Sequence, residues 1–160
     1  MANNLYECAI RSPSIAAAGF FNIIFTTGNS HCVFLDRLVG FSGLETVANV
    51  YRSPTVTEGT GTVGEFFAID TSTGVVTISN FLVNPTVTSV GTKVGATSYY
   101  KGSTTVGNGV IGTYGTQRGK RRLAPFTTYL LQFQNNDISA QVIDVYFRWY
   151  EGPQESPGGI

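Results

Sequence analysis

The groups in this 160-residue chain that could do chemistry are few and scattered: one histidine, two cysteines and ten carboxylates. A hydrolytic triad needs a histidine base beside a nucleophile and an orienting acid. His31 stands in Ser30-His31-Cys32 between two expected strands, where chain neighbours do not point at each other, so it reads as a turn histidine. A metal centre needs His, Cys, Asp or Glu at ligand spacing. The carboxylates stand singly from Glu7 to Glu155, and 70–74 (DTSTG) offers one carboxylate where a calcium loop uses several. A glycosidase pair is equally unsupported, because nothing brings Asp36 and Asp144 together. Gly107-Asn108-Gly109 fits neither GxGxxG nor a P-loop, and no helix follows to hold a phosphate. The sequence predicts no enzyme, no metal and no cofactor.

Two groups remain for recognition. Residues 118–122 (RGKRR) hold four of the ten basic residues in five positions. Arg118, Lys120, Arg121 and Arg122 could touch phosphate, stay solvated, or pair with acidic residues of a neighbouring subunit. A net charge of zero and the lack of a second basic stripe argue against nucleic acid. The second group lies in 142–150 (VIDVYFRWY), where alternation sets Tyr146, Arg148 and Tyr150 on one face, together with Asp144. Tyrosine and arginine are enriched at protein interfaces, although an amphipathic strand packed under a loop would look the same. These seven residues are the candidate interface.

The elements that must position them are strands. Only 12% of residues are charged, about half the usual share, and the chain is rich in Gly, Phe, Tyr, Thr and Val. Low charge suits a protein packed against others. Alternation marks 20–27, with Phe21, Ile23 and Phe25 on one face, and 32–39, with Cys32, Phe34, Asp36 and Leu38 together. Shorter strands fall at 47–51, 65–69, 75–79 and 81–83. The segments 128–134 and 142–150, joined across Asn135-Asn136-Asp137, predict a hairpin that buries Ile143, Val145, Phe147 and Trp149. The one helical candidate, 14–18 (SIAAA), is too short to stand alone. The expected fold is all-β: an antiparallel β-sandwich, jelly-roll-like, with long polar loops and flexible termini; 101–117 reads as a long surface loop or a loosely held edge hairpin. One domain spans 20–151, between an N-terminal arm (1–19) and a flexible tail (152–160). Cys8 and Cys32 read as buried thiols, with a disulfide left open. No signal peptide or spanning segment is evident, so the chain is expected to be made in a cytoplasm without export as a preprotein.

One phrase occurs twice, thirty-one residues apart: SPTVTEGTGTVG at 53–64 and NPTVTSVGTKVG at 84–95. Neither copy carries chemistry. Proline opens a strand or sits at an edge, Thr-Val-Thr alternates, and the glycines turn the chain. The copies are expected to form matching β-corners, burying Val56 and Val87 with the flanking threonines exposed or at a subunit contact.

The series 51–57 (YRSPTVT), 84–88 (NPTVT), 123–131 (LAPFTTYLL), Asn135-Asn136 and 146–151 (YFRWYE) resembles small virion proteins of tailed bacteriophages, over about residues 45–151. The resemblance implies a capsid decoration, or cement, protein. Such a protein is made in the bacterial cytoplasm and sits on the outside of the capsid as a dimer or trimer, bridging major capsid protein subunits. It has no membrane partner. Residues 1–19 and the basic run lie outside the shared pattern. The alternative is a tail-associated or receptor-binding sandwich recognising host surface glycan through Tyr99, Tyr100 or Tyr114.

Overall fold

The computed structural model describes residues 4–69, 77–102 and 115–152, with the side chains of Asp36 and of 115–120 outside that description. Its strands are β1 (Asn4–Arg11), β2 (Phe20–Thr26), β3 (His31–Phe41), β4 (Glu45–Arg52), β5 (Thr55–Val56), β6 (Thr62–Val63), β7 (Phe67–Ala68), β8 (Asn80–Val83), β9 (Val87–Ser89), β10 (Thr92–Lys93), β11 (Ser98–Lys101), β12 (Gly115–Leu123), β13 (Thr128–Asn135) and β14 (Ile143–Gly152). They build one sheet in the order β12-β3-β14-β1-β7 and a second in the order β10-β4-β13-β2-β8-β6, with β11 also on β4. The sheets are antiparallel and pack face to face as a β-sandwich, and no helix occurs among the described residues.

The long strands pair as β1 with β14, β2 with β13, β3 with β12 and β4 with β11. Among the described residues the long strands thus nest, first with last, and the shorter strands β5 to β10 fall between β4 and β11. Packing of the two sheets puts their aromatic rings in contact. Trp149 of β14 stands 5.1 Å from Phe81 and 5.7 Å from Phe25, rings of the opposite sheet, and stacks on Tyr6 at 5.5 Å. Phe147 lies 4.8 Å from Phe81. Each such pair adds about 0.5–1.5 kcal/mol beyond the area it buries. Ile143, Val145, Phe147 and Trp149 are all buried, as their alternation requires.

Three expectations are corrected. The segments at 128–134 and 142–150 do not form a hairpin: β13 pairs with β2 and β4, while β14 pairs with β1 and β3 in the other sheet. Their connection crosses between the sheets instead of turning within one. It is pinned by Asn135, fully buried, whose Nδ2 donates to the carbonyls of Ile15 (2.8 Å) and Ser139 (2.8 Å). Asn135 Oδ1 accepts from Gln141 Nε2 at 2.6 Å. Nor do the described residues 4–19 of the expected N-terminal arm (1–19) form an arm. Residues 4–11 are β1, between β14 and β7, and the chain that follows is bonded to the β13–β14 connection through Ile15 and Gln141.

The third correction concerns β3. A bulge at Leu35 interrupts its register with β14, where Arg148 faces Asp36 but Trp149 faces Phe34. A one-residue slip exchanges faces. Cys32 and Phe34 therefore face the core, but beyond the bulge Arg37, Val39 and Phe41 do so, and not Leu38; the side chain of Asp36 lies outside the described residues. Arg37 is buried with its Nη2 donating to Tyr100 OH at 2.9 Å, and its guanidinium 5.7 Å from the Phe133 ring.

The repeated phrase pairs with itself: β5 and β9 form a two-stranded sheet with Val56 opposite Val87. Ser53 and Asn84, each just before the proline, share the left-handed region at φ 55° and 52°. Ser53 N donates to Thr128 O (2.8 Å) and Asn84 N to Asn22 O (2.7 Å). A local two-fold explains the match. Exchanging β2 with β13 carries Ile24 onto its partner Leu130, and hence Leu82 onto Tyr51, the same thirty-one-residue step that separates the repeats. Val56 and Val87 are half-buried rather than buried, because a two-stranded sheet on this axis has solvent at its rim. Thr55, Thr57, Thr86 and Thr88 are exposed as expected.

Candidate functional site

The titratable groups do not assemble a catalytic centre among the described residues. Cys8 and Cys32 are free, buried thiols. Burial pushes both up to about 12, the reverse of an activated nucleophile, and Cys32 lies 3.3 Å from Ser79 Oγ with that hydrogen bond pulling the other way. Glu151 is a buried carboxylate, yet it is satisfied by Thr77 Oγ1, by the amides of Ile78 (3.1 Å) and Ser79 (3.2 Å), and by Trp149 Nε1 (3.1 Å). It holds the 77–79 corner onto the end of β14. No cluster of three metal-ligating side chains occurs among the described residues.

Of the expected interface residues, Arg121 and Arg122 are brought to a cleft, and Tyr146, Arg148 and Tyr150 to a separate face. Side chains of Arg118 and Lys120, and residue Tyr114, lie outside the described residues. The tyrosine row belongs to β14, in the middle of its sheet, on the face away from the core. Register sets Arg148 beside Glu7 of β1 and Asp36 of β3. Tyr146 OH donates to Glu7 Oε2 at 2.6 Å. A groove of about 320 Å³ runs along this face past Tyr146 and Leu38 to Arg11 and Asp144, which are ion-paired at 2.7 Å in an exposed position. Tyr99 is exposed, but Tyr100 is buried against Arg37 and cannot stack on a sugar.

The cleft lies between the edges of the two sheets and encloses about 350 Å³. Its basic lining is His31 at the start of β3, Arg52 at the end of β4, and Arg121 and Arg122 of β12. Val94, Leu123 and Tyr129 are among its apolar walls. Each basic group has a reason to be there. Arg52 is opposite both Thr92 of β10 and Tyr129 of β13. A second irregularity, where β12 spends two residues against Leu35 of β3, separates Arg118 from Arg121. Beyond it Leu123 points inward, so Arg121 turns to the gap between the sheets and Arg122 outward. Arg121 Nη1 donates to Val94 O at 3.0 Å, and its guanidinium occupies the space a Cβ on Gly95 would need. Burial, then the nearby Arg37, lowers the Arg121 pKa. Among the described residues no carboxylate stands within ion-pair distance of Arg52, Arg121 or Arg122, and the buried Nδ1 of His31 has no hydrogen-bond partner.

Sequence reasoning found the arginines of β12 but missed Arg52 and His31. Arg52 is visible only as the residue before the first repeat; its place opposite β10 follows from strand pairing.

A further feature is Phe126, with φ 49° and its ring 80% exposed. A bulky residue in the left-handed region is an outlier that the surroundings must impose. Here Phe126 N donates to Gly28 O (2.8 Å), and Thr27 and Thr127 exchange backbone and side-chain bonds beside it. Ile78, also exposed, packs on Gly28.

No protein-family model matches the chain, and a comparison with curated proteins returns no relative.

Proposed function

We propose that the protein is a non-enzymatic structural component of a tailed-phage virion that binds the outside of the capsid and stabilises the shell by bridging major capsid subunits. The observation that carries this reading is Phe126, an aromatic ring held out in solvent on a strained corner within the segment 123–131, which resembles virion proteins. Strain of this kind marks sites that do something other than stabilise the fold. A centrally placed aromatic anchor is the commonest source of binding energy at an interface.

The strand order lends support. Set aside β5 to β10, and the sheets read β1-β14-β3-β12 and β2-β13-β4-β11, a winding we interpret as a jelly roll. Jelly rolls serve viral capsid and lectin domains, which is support by analogy. Self-association as a dimer or trimer belongs to the same proposal.

Cosedimentation with expanded shells of the phage that encodes the protein, with shell melting followed in parallel, tests it. The wild-type chain should bind and raise the melting temperature of the shell. Phe126→Ser should weaken binding roughly tenfold or more while leaving the protein's own melting unchanged or raised. A wild-type chain that neither binds nor stabilises shells overturns the proposal.

A further inference from the structure

We propose that the cleft between the two sheet edges is a docking site for an acidic peptide segment of another protein, one whose carboxylates alternate with apolar side chains. The proposal stands on the cleft itself and holds whichever assembly supplies the segment. Arg52, Arg121 and Arg122 place three positive charges around about 350 Å³ without a carboxylate in reach among the described residues. Like charges gathered without a counter-ion, Arg121 half-buried among them, raise the energy of the unliganded protein, and a carboxylate brought between them relieves it. Arginine suits the task because its planar fork grips a carboxylate through two bonds.

The other half of the lining decides the class of ligand. Val94, 38% exposed with Leu123 and Tyr129 buried behind it, offers apolar surface at the same mouth, which a naked inorganic anion would leave unused and an apolar side chain would cover. A nucleic acid is disfavoured by the extent of the charge. The chain as a whole is neutral, and Arg11 is already paired with Asp144, whereas a phosphate backbone is followed by an extended basic surface. The site also lies between two edge strands, β10 and β12, where an extended segment can approach both sheets.

Because His31 is the sole histidine, its ring proton and carbon resonances report on this cleft alone. The experiment titrates the full chain with a short labelled peptide alternating Glu and Leu, reading fluorescence anisotropy and the His31 signals. Binding should be saturable, weaken as sodium chloride rises, and shift His31. Arg52→Gln and Arg122→Gln, both at exposed positions, should each weaken it about tenfold with unchanged thermal melting. The proposal is overturned by absence of binding, by binding that leaves His31 unmoved, or by affinity indifferent to both substitutions. It is overturned equally if inorganic phosphate or single-stranded DNA moves His31 at lower concentration than the peptide. Capsids are absent from this assay, so its failure would leave the virion reading standing, and the reverse also holds.

Discussion

The two copies of the repeated phrase begin alike and end differently. Up to the threonines they match in backbone conformation, in their bonds to the central strands and in their mutual pairing. Past that point the first copy turns through two left-handed glycines, Gly59 and Gly61, whereas the second has only Gly91. The shorter turn slips the register by one residue. Thr62 pairs with Val83, so the two-fold would set Lys93 opposite Arg52, but Thr92 takes that place. A slip of one exchanges faces. Val63 is consequently 74% exposed, while its counterpart Val94 turns toward the cleft and offers its carbonyl to Arg121. Two near-identical phrases on one axis thus give one bare edge and one basic pocket. A single residue of turn length separates structure from site.

Substitutions can break or sharpen that comparison. The largest effect is expected from Gly91→Ala. A Cβ there would collide with the carbonyl oxygens of Arg52 and Ser53, and φ is +79°. The left-handed conformation costs about 1–2 kcal/mol and the overlap roughly 1–3 more, so chemical denaturation should register a loss of about 2–5 kcal/mol. Gly59→Ala, at φ +74° with open space around it, should lose only the conformational part, about 1–2 kcal/mol. Equal losses at the two glycines would show that the copies are not packed differently.

A smaller effect attaches to Thr60, the first-copy counterpart of Gly91. Its hydroxyl donates to Thr57 O (2.6 Å) and accepts from Thr86 N (2.9 Å), tying one copy to the other. Thr60→Ala should cost about 1 kcal/mol, with faster amide exchange at Thr86. No change at Thr86 would count against this tie.

The smallest effect has the opposite sign. Serine tolerates the left-handed region less well than asparagine. Ser53→Gly should therefore stabilise the protein by up to about 1 kcal/mol, and Asn84→Gly by less. A larger gain at Asn84 would place the strain in the second copy. Differential scanning calorimetry of both variants resolves the order.

Acid should test a separate corner. Backbone amides, that of Leu44 foremost, hold Asp137 below its ordinary range, outweighing an opposing effect of burial. A depressed folded-state value stabilises above the unfolded value and is lost as pH falls through the folded one. The wild-type melting temperature should thus drop below about pH 4 more than that of Asp137→Asn, whose profile should be flatter.

Alternation along 20–27 and 142–150 was enough to place Phe21, Ile23, Phe25, Phe147 and Trp149 in a core and to announce an all-β sandwich, because side-chain direction in a strand is a local property. The repeat likewise disclosed its matching corners, since proline and the residue before it restrict the backbone wherever they stand. Partner choice was not local. Asn135-Asn136-Asp137 looks like a hairpin turn, and only burial of Asn135 against Ile15, more than a hundred residues away, sends β14 to the other sheet. The Leu35 bulge, which puts Arg37 inside, depends on how β14 and β12 pair across it. The cleft needs His31, Arg52 and Arg121 to meet from three strands, and nothing in the spacing of those residues foretells that. Sequence by itself determined which faces are apolar and where the chain must bend. Tertiary structure alone decided which strands are neighbours, because pairing is won by long-range contacts that no window of the chain contains.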